Sequence, residues 1–258
     1  MNVMFRGVGH CVSSMKDTGA GSGCCVNVNS ISCKSSNDPL NKQHSYPTNK
    51  IPWPKGKYTL VKPKSGCPPG WVEGWRSQDN EDDKNNINSI SSGHHFYGSF
   101  DKNTKAYYCT KIRDEKVTDW TKWKLVLWPN GTYCILRKGG SCPLGFANGY
   151  VYWDDEDDGN SNDIGGTLPD GKYDDANTLI QYCCRSDGQP ENAIELPTSM
   201  AFYLVGKTNT SQQVKGMTVR KEYIKTDDED SGVSNRREGS YPYIEETRNT
   251  KMLYCYYA

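Results

Sequence analysis

A repeat of about 75 residues is the feature that most limits how this chain can fold. Tryptophan, cysteine, proline and glycine residues recur without a gap at this spacing, so one structural unit is present at least twice. A fainter third copy follows, in which Gln213 stands where the other copies have a cysteine. The matching segments of the first two copies are 53–58 with 128–133, 67–71 with 142–146, and 107–109 with 182–184.

Each copy is predicted to consist of β-strands. Short aromatic-rich runs alternate with turns, and the 25 glycines and 13 prolines favour strands over helices. Trp71 and Trp75 belong to the pattern that the copies share, so we expect them in the core. Three such units around one axis leave no free sheet edge. We therefore predict an all-β fold of three diverged tandem β repeats in a pseudo-threefold, β-prism-like arrangement, with copies at about 53–116, 128–186 and 194–258.

Residues 1–52 form a separate segment ahead of the repeats. They are rich in Ser, Asn, Gly and Lys and show little apolar periodicity. Such a stretch buries too little surface to fold alone, so we predict a low-complexity arm that is flexible or tethered by disulfides. Its start lacks the uninterrupted apolar run of a signal peptide. The cysteines of the arm are Cys11, Cys24, Cys25 and Cys33.

Eleven cysteines favour disulfides in an oxidising compartment. Structural zinc is the alternative, but the chain contains no Cys-x-x-Cys and only four His. Cys255 is left over, which fits a free thiol, a bond to the arm or an intermolecular bridge. Cysteines that the copies share, or that occur together in one copy only, are predicted to be partners. These pairs are Cys67–Cys109, Cys142–Cys184 and Cys134–Cys183.

Several functions find little support in the sequence. The 31 basic and 31 acidic residues balance, so no overall charge favours nucleic acid or an anionic membrane. No apolar run is long enough to span a bilayer. Only His94 and His95 lie in the repeats, without a visible catalytic constellation, so we predict that the protein is not an enzyme. Sequons at Asn130 and Asn209 predict a glycoprotein.

Acidic clusters recur in every copy and suit Ca²⁺, which prefers hard oxygen ligands. None has the spacing of an EF-hand. Their recurrence has a second interpretation, in which Asp and Asn cap backbone amides in a turn that the fold requires. The candidate calcium ligands are Asp79, Glu81, Asp82 and Asp83, then Asp154, Asp155, Asp157 and Asp158, and finally Asp227, Asp228 and Asp230.

Residues found in one copy only are the candidates for ligand binding, because shared residues serve the scaffold. Aromatic rings beside carboxylates and amides suit sugars, which stack on rings and hydrogen-bond to polar groups. Packing in the core is the alternative for each tryptophan. The candidates are His94, His95, Phe96, Tyr97, Trp120, Trp123 and Trp153.

Several motifs in order resemble the ApeC domain, the C-terminal domain of apextrins and apextrin-like proteins. They are Trp53-Pro-x-Gly-x-Tyr, Cys67-Pro-x-Gly-Trp, Gln181-Tyr-Cys-Cys-Arg and Val214-Lys-Gly-Met-Thr-Val-Arg-Lys-Glu-Tyr. The resemblance covers about residues 53–258, although Gln213 departs from its cysteine pattern. It implies a secreted protein of innate immunity that recognises bacterial cell-wall material such as peptidoglycan.

We therefore predict a secreted pattern-recognition protein that binds peptidoglycan or muropeptides non-covalently. We expect no cofactor other than Ca²⁺, no nucleic-acid partner and no transmembrane segment. The sequence is compatible with a disulfide-linked or a non-covalent oligomer. One alternative is an extracellular matrix protein that is cross-linked through its cysteines. Another is a membrane-attachment module that uses exposed aromatic loops.

Overall fold

A computed structural model describes the chain as two units, Met1–Lys50 and Ile51–Ala258. In the first unit the backbone forms three antiparallel strands, which the sequence did not predict: β1 (His10–Ser14), β2 (Ser22–Asn27) and β3 (Ser30–Lys34). These strands, and the following parts of the second unit, are the described residues: 51–80, 87–114, 127–155, 159–173, 177–228, 234–246 and 248–258.

The second unit is all-β, as predicted, and its described residues contain no helix. A helix able to cross a membrane is accordingly absent from those residues. Antiparallel pairing joins fifteen strands into one sheet. They are β4 (Tyr58–Val61), β5 (Val72–Gln78), β6 (Ser89–Ile90), β7 (Gly98–Phe100), β8 (Thr104–Lys111), β9 (Thr132–Arg137), β10 (Ala147–Trp153), β11 (Asp163–Gly166), β12 (Gly171–Lys172), β13 (Thr178–Ser186), β14 (Phe202–Gly206), β15 (Val219–Lys225), β16 (Arg236–Gly239), β17 (Ile244–Glu246) and β18 (Lys251–Tyr257).

Three strands of each copy pair in the same order. The last long strand lies between the first and second, as in β4–β8–β5, β9–β13–β10 and β14–β18–β15. The register is also shared, because Leu60 faces Cys109, Ile135 faces Cys183 and Leu204 faces Cys255. The third copy therefore has the strand register of the other two.

A short strand of each copy pairs with a long strand of another copy. We call these pairings seams: β5–β11 is the first, β10–β16 the second and β15–β6 the third. They run from the first copy to the second, from the second to the third, and from the third back to the first. Each copy thus completes the sheet of another one.

Strand β9 lies between two layers of the core. Cys134 and Leu136 belong to one cluster of buried side chains, and Tyr133 and Ile135 belong to the other. Successive residues of a strand point to opposite faces. A strand that is covered on both faces therefore reads as a continuous apolar run, as it does here.

The disulfides confirm one predicted pair and correct two. Cys67–Cys109 is present, whereas the second copy contains Cys134–Cys184 and Cys142–Cys183 instead of the predicted partners. The second copy is one residue shorter than the first between the turn and the last long strand. The cysteines of Cys67–Cys109 are 42 residues apart, and those of Cys142–Cys183 are 41 residues apart. Cys183 is therefore the counterpart of Cys109. Cys134 and Cys184 face each other across β9 and β13.

The first two copies share a disulfide between the turn and the last long strand, Cys67–Cys109 and Cys142–Cys183. The third copy lacks its counterpart, and Cys255 is buried as a free thiol 3.1 Å from Ser211 Oγ. Gln213 occupies the position at which the other two copies have the partner cysteine. It precedes a turn in which the Met217 amide donates to the Val214 carbonyl. Cys67 and Cys142 precede turns that are closed in the same way.

We expect Gln213→Cys to form a disulfide with Cys255 and to raise stability by about 2–4 kcal/mol, because the bond closes a long loop of the unfolded chain. Thiol titration under denaturing conditions and thermal denaturation measure the two effects. Gln213→Ser is the control for loss of the amide. A variant that keeps both thiols free after oxidation would contradict the equivalence of Gln213 with Cys67 and Cys142.

Candidate functional site: a polar groove in the second copy

An open groove of about 590 Å³ lies on the second copy. The end of β9, the segment around β12 and the middle of β13 form its walls. Its polar lining residues are Arg137, Lys138, Asp170, Lys172, Tyr173 and Gln181.

The groove occurs where the first copy has two tyrosines. The amide of Tyr97 donates to the carbonyl of Lys62, and that of Asp170 donates in the same way to Arg137. Asp170 therefore takes the place of Tyr97. The residue that accepts this hydrogen bond is a cation in both copies, Lys62 in the first and Arg137 in the second.

The second tyrosine is replaced on the neighbouring strand. Tyr107 faces Trp75 in the first copy, and Gln181 faces Tyr150 in the second. The rings of Tyr97 and Tyr107 contact edge to face, with centroids 4.9 Å apart. The shorter Asp170 and Gln181 side chains leave this space open.

Arg137 and Asp170 organise one wall of the groove. Arg137 Nε lies 3.0 Å from Asp170 Oδ2, and its Nη1 lies 2.9 Å from the side-chain oxygen of Asn148. Asp170 also accepts hydrogen bonds from the amides of Gly139 and Gly140. Burial favours the neutral acid, but these amides and Arg137 outweigh it and hold the pKa of Asp170 below its ordinary value. Asp170 is thus an anion at neutral pH.

The groove carries more positive than negative charge. Arg137, Lys138 and Lys172 line it, and Asp170 is the one acidic residue among those that do. Lys138 donates to the carbonyl of Leu168 at 2.6 Å, which holds its ammonium group at the groove. A bound carboxylate would meet favourable charges here.

Gln181 supplies an unpaired acceptor. Its side-chain Oε1 is buried and has no hydrogen-bond partner in the described part of the chain. A buried polar atom without a partner costs about 1–3 kcal/mol. A ligand N–H at this position would remove that cost, so the groove suits a ligand with both N–H donors and carboxylates.

The predicted ligand contacts mostly lie elsewhere. Phe96 and Trp153 are 0% and 3% exposed and belong to the core, so their prediction as surface contacts is wrong. Phe96 stacks on Tyr203 with centroids 4.5 Å apart. Tyr97 is 44% exposed, but on the first copy. Trp120 and Trp123 lie outside the described residues.

His95 meets the third copy rather than the groove. Its Nδ1 lies 2.7 Å from Glu222 Oε1, and its backbone amide donates to Oε2 of the same carboxylate. Tyr203 OH also donates to Glu222, and the imidazole of His95 stacks on Tyr256 with centroids 4.0 Å apart. Burial opposes ionisation of Glu222, but hydrogen bonds from His95 and Tyr203 outweigh it and lower the pKa. The pair joins the segment between β6 and β7 of the first copy to β15 of the third.

His94 faces apolar surroundings. It lies beside Phe96 and Phe100, and its buried Nδ1 has no hydrogen-bond partner among the described residues. Burial, together with the nearby Lys64, lowers the pKa of the His94 imidazole. His94 and His95 therefore do not share one site.

Three acidic residues at matching positions of the copies cap backbone amides. Asp79, Asp154 and Asp227 follow the second strand of their copies and accept hydrogen bonds from the amides of Ser161, Ser234 and Ile87. No group of three metal-ligating side chains occurs among the residues with described positions. These contacts favour the turn interpretation, while calcium binding stays a prediction. The candidates outside the described residues are Glu81, Asp82, Asp83, Asp157, Asp158 and Asp230.

The two shared tryptophans have different roles. Trp71 packs against the second core cluster, in line with our expectation. Trp75 lies on the opposite face of β5 from the buried Gly74 and Arg76, with the Lys105 ammonium 3.6 Å from the centroid of its ring. The prediction that Trp75 serves the core is wrong, because alternation along β5 directs it outward.

The sequons differ in their surroundings. Asn130 Oδ1 accepts from Arg185 Nη2 at 2.8 Å, and the exposed Asn209 accepts from Lys221 at 2.9 Å. Glycosylation at either position stays a prediction.

A family model described as the C-terminal domain of apextrin, ApeC, matches residues 53–257. No curated protein and no solved structure matches the chain. The matched range contains all three copies and the groove.

Proposed function

The chain belongs to the ApeC family, and on that premise we propose that it is a secreted recognition protein that binds bacterial peptidoglycan or its muropeptide fragments in the groove of the second copy. The unpaired Oε1 of Gln181 carries this proposal, because no donor of the described residues reaches it and a ligand N–H would satisfy it. We further propose that binding is non-covalent and that the protein is not an enzyme.

The chemistry of the polymer matches the groove. Its sugars carry acetamido N–H groups, and its stem peptides carry N–H groups and carboxylates. One N–H donates to Gln181, and a carboxylate lies between Lys138 and Lys172. Their charges strengthen such hydrogen bonds relative to neutral ones.

Secretion is part of the proposal. Three disulfides support it, since such bonds persist mainly outside the cytosol. An innate-immune role follows from the family premise and the proposed ligand.

We also infer that the three copies form a pseudo-threefold, β-prism-like arrangement. The cyclic order of the seams supports this inference, since each copy gives a strand to one copy and receives a strand from the other. Such closure protects sheet edges.

Sedimentation with insoluble peptidoglycan tests the function. We expect Gln181→Tyr to lower the affinity about tenfold or more, because it removes the acceptor and fills the groove with the residue of the first copy. Tyr107→Gln, the reverse change at the matching position, should leave the affinity unchanged. Equal retention of Gln181→Tyr and the parent protein would place the ligand elsewhere, and no retention of the folded parent protein would end the proposal.

A further inference from the structure

An interior cavity of about 20 Å³ lies between the three copies. This volume suits one occupant the size of a water molecule or a halide ion. Side chains from all three copies line it, including Tyr108, Tyr182 and Tyr254. Arg76 is the one charged residue among those that line it.

Arg76 interrupts an otherwise apolar pattern. It faces Ala106 across β5 and β8, whereas Val151 faces Ile180 and Ile224 faces Met252 at the matching positions of the other copies. Arg76 is only 6% exposed. A guanidinium group remains charged in proteins, so the first copy brings a permanent positive charge into the core.

The hydrogen bonds of Arg76 leave part of its guanidinium unused. Nε donates to Tyr108 OH at 2.9 Å, and Nη1 donates to the side-chain oxygen of Gln78. Within the described part of the chain, Nη2 has no hydrogen bond and Arg76 has no ion pair. Asp155 is connected to it only through Gln78, whose Nε2 donates to Asp155 Oδ1 at 2.6 Å. Trp153 contacts the guanidinium, with its ring centroid 5.3 Å from Arg76 Cζ, but no carboxylate of the described residues pairs with it directly. A buried charge without a counter-charge is costly.

The cavity lining offers hydrogen-bond donors to an occupant. Tyr108 OH accepts from Arg76 and therefore keeps its own hydrogen for donation. The unused N–H groups of Arg76 Nη2 add further donors. No carboxylate lines the cavity, so a cation would find no counter-charge.

We propose that this cavity binds one halide ion, chloride in ordinary solution, held by Arg76 and the hydroxyl of Tyr108. The ion supplies the missing counter-charge and contacts residues of all three copies at once. Sulfate and phosphate are too large for a cavity of this volume. The site is separate from the groove, and the inference does not depend on the proposed function.

Thermal denaturation in sodium gluconate and in sodium chloride, at constant sodium concentration and ionic strength, tests the proposal. We expect the midpoint to rise by about 2–4 °C in chloride, and similarly in bromide, because a ligand that binds only the folded state stabilises it. Identical midpoints in gluconate and chloride would overturn the site.

Arg76→Val is the matched variant, because valine occupies the corresponding position 151 in the second copy. It should lose the chloride dependence and keep its peptidoglycan affinity. If this variant does not fold, crystals of the parent protein grown in bromide decide the question by anomalous scattering. A bromide peak beside Arg76 supports the site, and a cavity that holds only water overturns it.

Discussion

Gly74→Ala and Gly149→Ala should each lower the free energy of unfolding by about 3 kcal/mol or more. A Cβ at Gly74 would lie 2.3 Å from the carbonyl oxygen of Thr167, and one at Gly149 would lie 2.4 Å from that of Ser240. Both obstacles are backbone atoms of the copy that completes the seam. Relief therefore requires a shift of the paired strands rather than a rotation of a side chain.

Urea denaturation measures this effect, and Gly206→Ala is the matched control. Gly206 is also a buried strand glycine, but its nearest obstacles, Leu253 O and Thr208 O, both lie 3.3 Å from the added Cβ. We expect the control to change stability by less than about 1 kcal/mol. Equal losses for the three variants would show that the close backbone approach at the seams is not what selects glycine.

The third seam does not require glycine at the position that matches Gly74 and Gly149. Gly74 faces Tyr108 and Gly149 faces Tyr182, and at the corresponding position Glu222 faces Tyr254. Its strand β6 pairs over two residues, whereas β11 and β16 each pair over four. The shorter pairing leaves room for the carboxylate, and the hydrogen bonds from His95 take the place of backbone contact.

Acidification from pH 8 to pH 5 should stabilise the protein by several kcal/mol through Asp155 and Asp228, against a smaller opposing contribution from His94, whose pKa is lowered in the folded state. Burial raises the pKa of Asp155 to about 7 and that of Asp228 to about 6, above the ordinary value of 3.8. A group whose pKa is higher in the folded state contributes stability below its unfolded pKa and loses it as the pH rises through the folded pKa. Each unit of difference corresponds to about 1.4 kcal/mol.

Asp155→Asn should flatten this pH dependence. The first copy already has an asparagine at the matching position. Asn80 occupies the matching position and donates to Thr104 Oγ1 at 3.0 Å, whereas Asp155 accepts from Thr178 Oγ1. Chemical denaturation at intervals between pH 5 and pH 8 measures the slope. If the slope is unchanged in Asp155→Asn, Asp155 is not its source. Below about pH 4 the trend reverses, because the lowered pKa values of Asp170 and Glu222 stabilise only their ionised forms.

The repeated positions predicted the fold class because glycine, cysteine and aromatic residues recur where strands and turns recur. They did not predict the disulfides of the second copy, since a shift of one residue exchanges the two faces of a strand. Cys183 and Cys184 are neighbours in sequence, yet they belong to different core clusters. The correct pairing requires the strand register, which a gapless alignment of the copies does not contain.

The predicted ligand contacts differ from the lining of the groove for a related reason. Residues unique to one copy also arise where unequal copies pack against one another, as Phe96 and Trp153 do. The groove arises where aromatic residues of the first copy become polar in the second. Gln181 corresponds to Tyr107 only when the alignment of the two copies is shifted by one residue in the last long strand. The replacement of tyrosine by glutamine is therefore present in the sequence, but a gapless alignment does not show it.

The cyclic exchange of strands has a consequence for how the protein is made. The third seam joins segments far apart in the chain, as in the hydrogen bond from the Asp227 amide to Asn88, which spans 139 residues. Contacts of such separation slow folding, because the loop must close before they form. Strand β18 is the last strand in chain order, so the third copy is completed after the first two. The first copy is therefore synthesised before β15, the strand with which its own β6 pairs in the third seam.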